Sequence, residues 1–510
     1  MATCTGLDRG LVPSATATPG GVQTAAAPRT GGTLRIGKPS DIVPAGAPFL
    51  LTPANIHLFT LMYDMLISYD RQLTPRPRLA TSWQWSPDWR RLTLQLRQGV
   101  KFHTGRPFTS EDAKFTLEHL REPAVGSQWR NDANLMHITA PDAGTLVIDY
   151  DAPVRSSFDV LAGTPIADAQ TLDQTNAGRG FVGTGPFRFQ EWVPGDRFVV
   201  ARNADYWQPS KPYLDGVELH VIADPLTALG ALQTRSVDWV SGAAAQDARR
   251  LQSDPSYQVI LTQTGATFYY VGLDLAVPAL ADQRVRQAFN YALNRPGMVQ
   301  TALYGFGRPA STLWPRQSPA YDATQDQAYP YDLGKARELL QAAGWDTTTT
   351  VPLAVASLIA ATLPMAQIYQ ADLARIGVKL DLQLLDNADF FGRLQNGKFG
   401  GAWMYSMSFM NLSPATFLSS AFPVRVPNTS HFASPHYADL INQMNVQTDD
   451  QRLKVLLHEL TQITLDESFV LPIAEGFGPT TGPEVARSSV RDVAWDTFGL
   501  FAYEDVWLEP

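Results

Sequence analysis

The chain has 510 residues, of which 45% are hydrophobic and 17% charged, with a formal net charge of -9. That length exceeds one small core and suits two or three structural units, and the composition excludes a disordered chain. No Lys/Arg run accompanies the mild acidity, which argues against a nucleic-acid binder, and no window reaches the roughly 18 consecutive apolar residues of a membrane span.

Residues 1 to 30 are rich in Ala, Thr, Gly and Pro and lack hydrophobic periodicity, so they read as a flexible tether. The single cysteine, Cys4, stands at its front, so no intramolecular disulfide forms. No apolar signal core precedes it. The expectation is a lipoprotein whose signal peptide is absent from this chain, with Cys4 acylated; the alternative is an incidental cysteine in a tail.

Ordered sequence is expected from Gly31, with a short strand at Thr33 to Ile36 and a helix near Ile56 to Leu66. Leu92, Leu94 and Leu96 alternate with polar residues, the pattern of a half-buried strand. Thr109 or Ser110 can cap a helix whose first turn holds Glu111 and Asp112. Asp282 and Asp332 can cap two more, the second stopped by Gly344. A helix through Ala366, Tyr369 and Leu373 ends at Gly377, and Val378 to Leu384 alternates as a strand. Helices and strands interleave throughout, so the class is α/β with mixed sheets.

Catalytic motifs are missing. There is no GxSxG, no Walker A and no HExxH: His458-Glu459 is followed by Gln462 where a second zinc ligand belongs. Gly183-Thr184-Gly185 is glycine-rich, but Pro186 and a strand-like Phe187-Arg188-Phe189 follow it instead of a helix. His431 and His436 flank a Pro-containing turn, a weak metal signal whose alternative is two surface histidines. Trp83, Trp85 and Trp89 cluster as core and surface packing, while Trp314 and Trp403 are more open to a ligand role.

Four stretches resemble the family 5 solute-binding proteins, the dipeptide, oligopeptide, nickel and oligosaccharide binders. They are Leu79 to Ala113, with Arg97-Gln98-Gly99-Val100-Lys101-Phe102; Gly183 to Trp207; Asp282 to Arg295; and Tyr331 to Trp345. The likeness runs from about Gly31 to Trp507. It implies a periplasmic-binding-protein-like fold of the large type II class, two lobes with mixed sheets flanked by helices and a ligand cleft between them. Lobe I is expected at 31 to 268 plus 478 to 510, with an extra subdomain at about 68 to 182, and lobe II at 269 to 477. Gly476 and Gly478 suit a hinge that changes backbone angles on closure; the alternative is an ordinary turn ahead of Pro479. Arg97, Gly99, Asp282 and Arg286 read as structural positions.

In peptide binders of this family, a GW-x-x-D stretch with a following proline supplies an aspartate to the peptide's ammonium. Here Pro414 and Phe417-Leu418 hold the register, so Ser406-Met407 replaces GW and Met410 replaces the aspartate. Met cannot pair with an ammonium. Unmodified dipeptides therefore rank low, and longer or blocked peptides, peptide-like products and oligosaccharides stay open. The resemblance implies an extracytoplasmic binding protein of an ABC importer, without cofactor, metal or catalytic residue. It would be monomeric, lipid-anchored and partnered by permease and ATPase subunits; a sensory binding protein is the alternative. Ligand contacts are expected at Tyr269, Tyr270, Trp314, Trp403, Tyr405, Met407, Phe409, Met410 and Asn411, with core packing the alternative for Met407 and Met410.

Overall fold

The computed structural model describes residues 27–52, 54–70, 73–261, 267–407, 412–476, 482–496 and 498–510. A seven-stranded sheet runs in the order Tyr257–Ile260, Glu484–Arg487, Trp239–Val240, Thr33–Lys38, Gly216–Val221, Arg197–Arg202, Phe187–Val193. Thr33–Lys38 is parallel to both of its neighbours, while the outer pairings are antiparallel. Leu34 and Ile36 face a core shared with helix Ile56–Met62 and the C-terminal residues Phe501 and Tyr503. The opposite face packs beneath helices Pro225–Gln233 and Ala245–Leu251.

The chain leaves this sheet after Ile260 and enters a six-stranded one, ordered Gly307–Pro309, Val470–Gly476, Thr267–Leu273, Ala402–Met407, Thr350–Ala356, Lys379–Leu385. Both faces of this sheet are covered by helices, so its strands are apolar at successive positions. Thr267 and Phe268, assigned above to the first lobe, pair with Gly476 and Glu475 inside this second sheet. The chain returns between Gly476 and Glu484.

The expected helices are present with their caps. Asp282 accepts from Arg284 N and Asp332 from Lys335 N, each satisfying an orphan amide. Asp112 reaches back to Thr109 N at 2.9 Å. Arg286 is buried and donates to the carbonyls of Leu280 and Ala281 and to Glu467, a structural post as expected.

A third unit is a four-stranded antiparallel sheet, Ala80–Trp85, Arg91–Leu96, Thr145–Asp149, His137–Asp142, backed by helices Ser110–His119 and Ser157–Gly163. Trp85 stacks on Trp89 at 5.4 Å and Trp83 meets Phe158 edge-on, so this tryptophan cluster is packing. The unit is tied to the seven-stranded sheet through Arg78, held between Asp64 at 2.8 Å and Glu504 at 2.5 Å, both buried. Asp64 also accepts from Thr184, Tyr206 and Trp207, which gives the glycine-flanked Thr184 a structural role.

Candidate functional site

Strand Thr267–Leu273 pairs antiparallel with Ala402–Met407, setting Tyr270 opposite Tyr405, Gly272 opposite Trp403 and Phe268 opposite Met407. The two-residue period puts Tyr270, Trp403, Tyr405 and Met407 on one face and Tyr269 on the other. That shared face is a packed core. Trp403 stacks on Phe399 at 4.6 Å, and Tyr405 lies on Phe390 at 5.1 Å. Trp314 joins it, meeting Phe417 edge-on and donating Nε1–H to Thr461 at 2.7 Å.

Several of the residues expected to meet ligand are packed in this conformation. Tyr270 and Trp403 have no exposed surface, so in this conformation they form a wall and do not present a ring to a ligand. Trp314 and Tyr269 are also buried, at 4% and 7% exposure. Tyr405 alone is half-buried, and Met407 ends its strand directly ahead of the segment that was expected to meet ligand. Phe409, Met410 and Asn411 lie outside the described residues, as do Gly478 and Cys4. Gly476 is paired in its strand with Thr267 and Gly307. A β-carbon there would stand 3.1 Å from the Tyr269 ring, so close approach is the constraint on this glycine.

A feature that sequence reasoning missed lies at the ends of the central strands of the seven-stranded sheet. A small cavity of about 40 Å³ opens at the carboxyl ends of the parallel strands, lined by Gly37–Pro39, Ser241–Ala244 and the inner residues of the two covering helices. Open α/β sheets bind ligands at such strand ends. Buried Glu484 fixes the Ser241–Gly242 turn: it accepts from Trp239 Nε1 at 2.6 Å and from Ser241 Oγ and Gly242 N at 3.2 Å. His57 continues the network to Ser241 Oγ and the Tyr503 hydroxyl. Burial drives its pKa well below the ordinary histidine value, with nearby Lys38 adding to the effect, so it is neutral.

Among the described residues, several contacts join the six-stranded half to the rest, Tyr304 Oη with Gln246 Oε1 at 3.5 Å being one. Phe306 is buried among Ala228, Leu232, Val237, Leu251 and Val485 beside the pocket. Farther away, Asp159 of helix Ser157–Gly163 receives hydrogen bonds from Ser413 and Thr416, and Leu412 enters the core of the third unit. Arg155 bonds the Gln447 carbonyl and Asp450 alongside.

His431 bonds Asp274 and His436 bonds Glu459, and among the described residues no cluster of three potential ligands exists. Likewise, among the described residues no helix is long and apolar enough to cross a membrane.

Comparison with known proteins agrees with this architecture. Residues 74–425 match the model of the bacterial extracellular solute-binding proteins, family 5. The glutathione-binding protein GsiB of Escherichia coli K12 is 28% identical over 427 residues, covering 81% of this chain and 82% of the relative. Among solved structures, the periplasmic binding protein DppA of Helicobacter pylori, in complex with the peptide STSA, superposes with a TM-score of 0.78 at 23% identity, covering 94% of this chain and 99% of that one. NikA of Brucella suis with Fe(III)-EDTA gives 0.83 at 23% identity, covering 94% and 100%.

Proposed function

The chain belongs to the bacterial extracellular solute-binding proteins of family 5, and we propose from that premise that it captures a peptide or peptide-like solute whose amine is not held by an aspartate. It is a binding protein of the ABC-importer type and not an enzyme. The family description places its work outside the cytoplasm. Anchoring through an acylated Cys4, a monomeric state and delivery to a particular permease are parts of the proposal.

The single observation that carries the ligand class is the substitution at the family's amine-binding position. Peptide-type binders are prominent among the relatives, GsiB by name among them. Met410 removes the carboxylate that would neutralise a free ammonium, and an unpaired buried cation costs several kcal/mol. A blocked, cyclic or side-chain-linked peptide avoids that cost. An oligosaccharide ligand, or a sensory role without transport, is the competing reading.

The two sheets supply the frame for capture. Residues 31 to 268 with 478 to 510 would form one lobe and 269 to 477 the other, adjusted so that strand Thr267–Leu273 lies wholly in the second. Ligand touching both lobes would stabilise the closed form by its differential affinity for it. Calorimetry with alanyl-phenylalanine and its N-acetyl form tests the ligand reading. The N-acetyl peptide is expected to bind at least as tightly as the free one; a strong preference for the free amine contradicts it.

A further inference from the structure

We infer that Asp159 is the keystone of a clasp that holds the four-stranded unit against helix Pro414–Ser420 of the six-stranded half and thereby stabilises the closed form. The inference rests on the two-lobe reading above and adds to it the residue that fastens the lobes.

Asp159 is completely buried, and its carboxylate meets no cation within ion-pairing distance among the described residues. Four donors replace one. Tyr69 Oη donates to Oδ1 at 2.8 Å from within the same unit. Ser413 N at 3.1 Å, Ser413 Oγ at 2.5 Å and Thr416 Oγ1 at 2.5 Å all donate to Oδ2 from the other half. Burial pushes the carboxyl pKa up, and these hydrogen bonds pull against that shift. A buried charged acceptor is costly when its donors leave and favourable when they are in place. The arrangement therefore discriminates sharply between docked and undocked lobes.

The contacts around Asp159 point the same way. Leu412 packs into the core of the four-stranded unit beside it. Arg155, four residues earlier, spans the same boundary to the turn that precedes helix Asp450–Glu467. Asparagine substitutes only in part: its oxygen can take the Oδ2 place and its NH2 can donate to Tyr69 Oη, but the bonds from Ser413 and Thr416 then end on a neutral acceptor and lose their charge assistance.

The test is a spin-label distance measurement between cysteines introduced at Glu122 and Val455, in a Cys4→Ser background. It compares protein as purified with protein stripped of carried ligand by reversible denaturation. Asp159→Asn should raise the ratio of open to closed populations by about tenfold or more. Ser413→Ala and Thr416→Val, approaching from the other side, should shift it in the same direction and be non-additive with Asp159→Asn. Denaturant unfolding of each variant checks that the fold persists. A distribution that changes on stripping, yet is the same in Asp159→Asn as in wild type, overturns the clasp and leaves lobe closure standing. One fixed distance in every chain and condition overturns both.

Discussion

Gly272 lies flat against the indole of Trp403: a β-carbon built on it would fall 2.1 Å from Trp403 Cζ2. The two residues are directly paired across adjacent strands, at the centre of the six-stranded sheet. Gly272→Ala is therefore expected to force the indole off its stack on Phe399 and cost ~1–3 kcal/mol, read by urea unfolding. Trp403→Leu in the same chain should return part of that loss. An unchanged midpoint for Gly272→Ala contradicts the packing described.

Arg78 sits between two buried carboxylates, Asp64 and Glu504. Arg78→Met leaves both acids without their common cation and should cost ~3–5 kcal/mol, since breaking a buried ionic group strands the remaining charges. Arg78→Lys should recover little, because one ammonium cannot reproduce the two-sided fork. Thermal unfolding at pH 7 checks both variants.

Lys38 is 3% exposed, donates to the Ala54 carbonyl, and burial lowers its pKa to about 8, against a raising influence from Asp41. The folded value lies below the unfolded value of 10.5, so between these limits the unfolded chain binds more protons and stability rises with pH. At pH 7 the buried ammonium costs on the order of 3 kcal/mol. Lys38→Met should therefore be more stable than wild type at pH 7, with the advantage shrinking between pH 8 and 10.5. A pH-independent difference contradicts this assignment.

On the register proposed above, Met410→Asp would place an anion where a peptide's ammonium is expected to lie. The variant is expected to bind alanyl-phenylalanine more tightly than its N-acetyl form, reversing the order expected for wild type. Calorimetry of both peptides with both proteins reads the reversal, and an unaltered order in the variant counts against the register that places residue 410 at the amine.

Much of the fold is written in local pattern. Asp282 and Asp332 cap the helices their spacing indicated, and the alternation from Val378 to Leu384 is a strand, Lys379–Leu385. The site was less legible. Alternation showed that Tyr270, Trp403 and Tyr405 share a face, but period two does not say whether that face meets a cleft or a layer of helices. Here helices such as Asn387–Asn396 and Asp450–Glu467 cover it. The Glu484 network and the Asp159 clasp had no signal at all, because the partners are brought together only by tertiary folding: Asp159 and Ser413 are 254 positions apart. Gly476 illustrates a different gap. Its glycine suggested backbone freedom, whereas the structure shows a strand position crowded by the Tyr269 ring.

Native mass spectrometry of the protein purified from its own periplasm or cell surface, followed by identification of the released solute, tests the central claim most directly. The account predicts a stoichiometric peptide or peptide-like adduct, released chemically intact and lacking a free α-ammonium group. An oligosaccharide or a metal chelate carried in its place would contradict it.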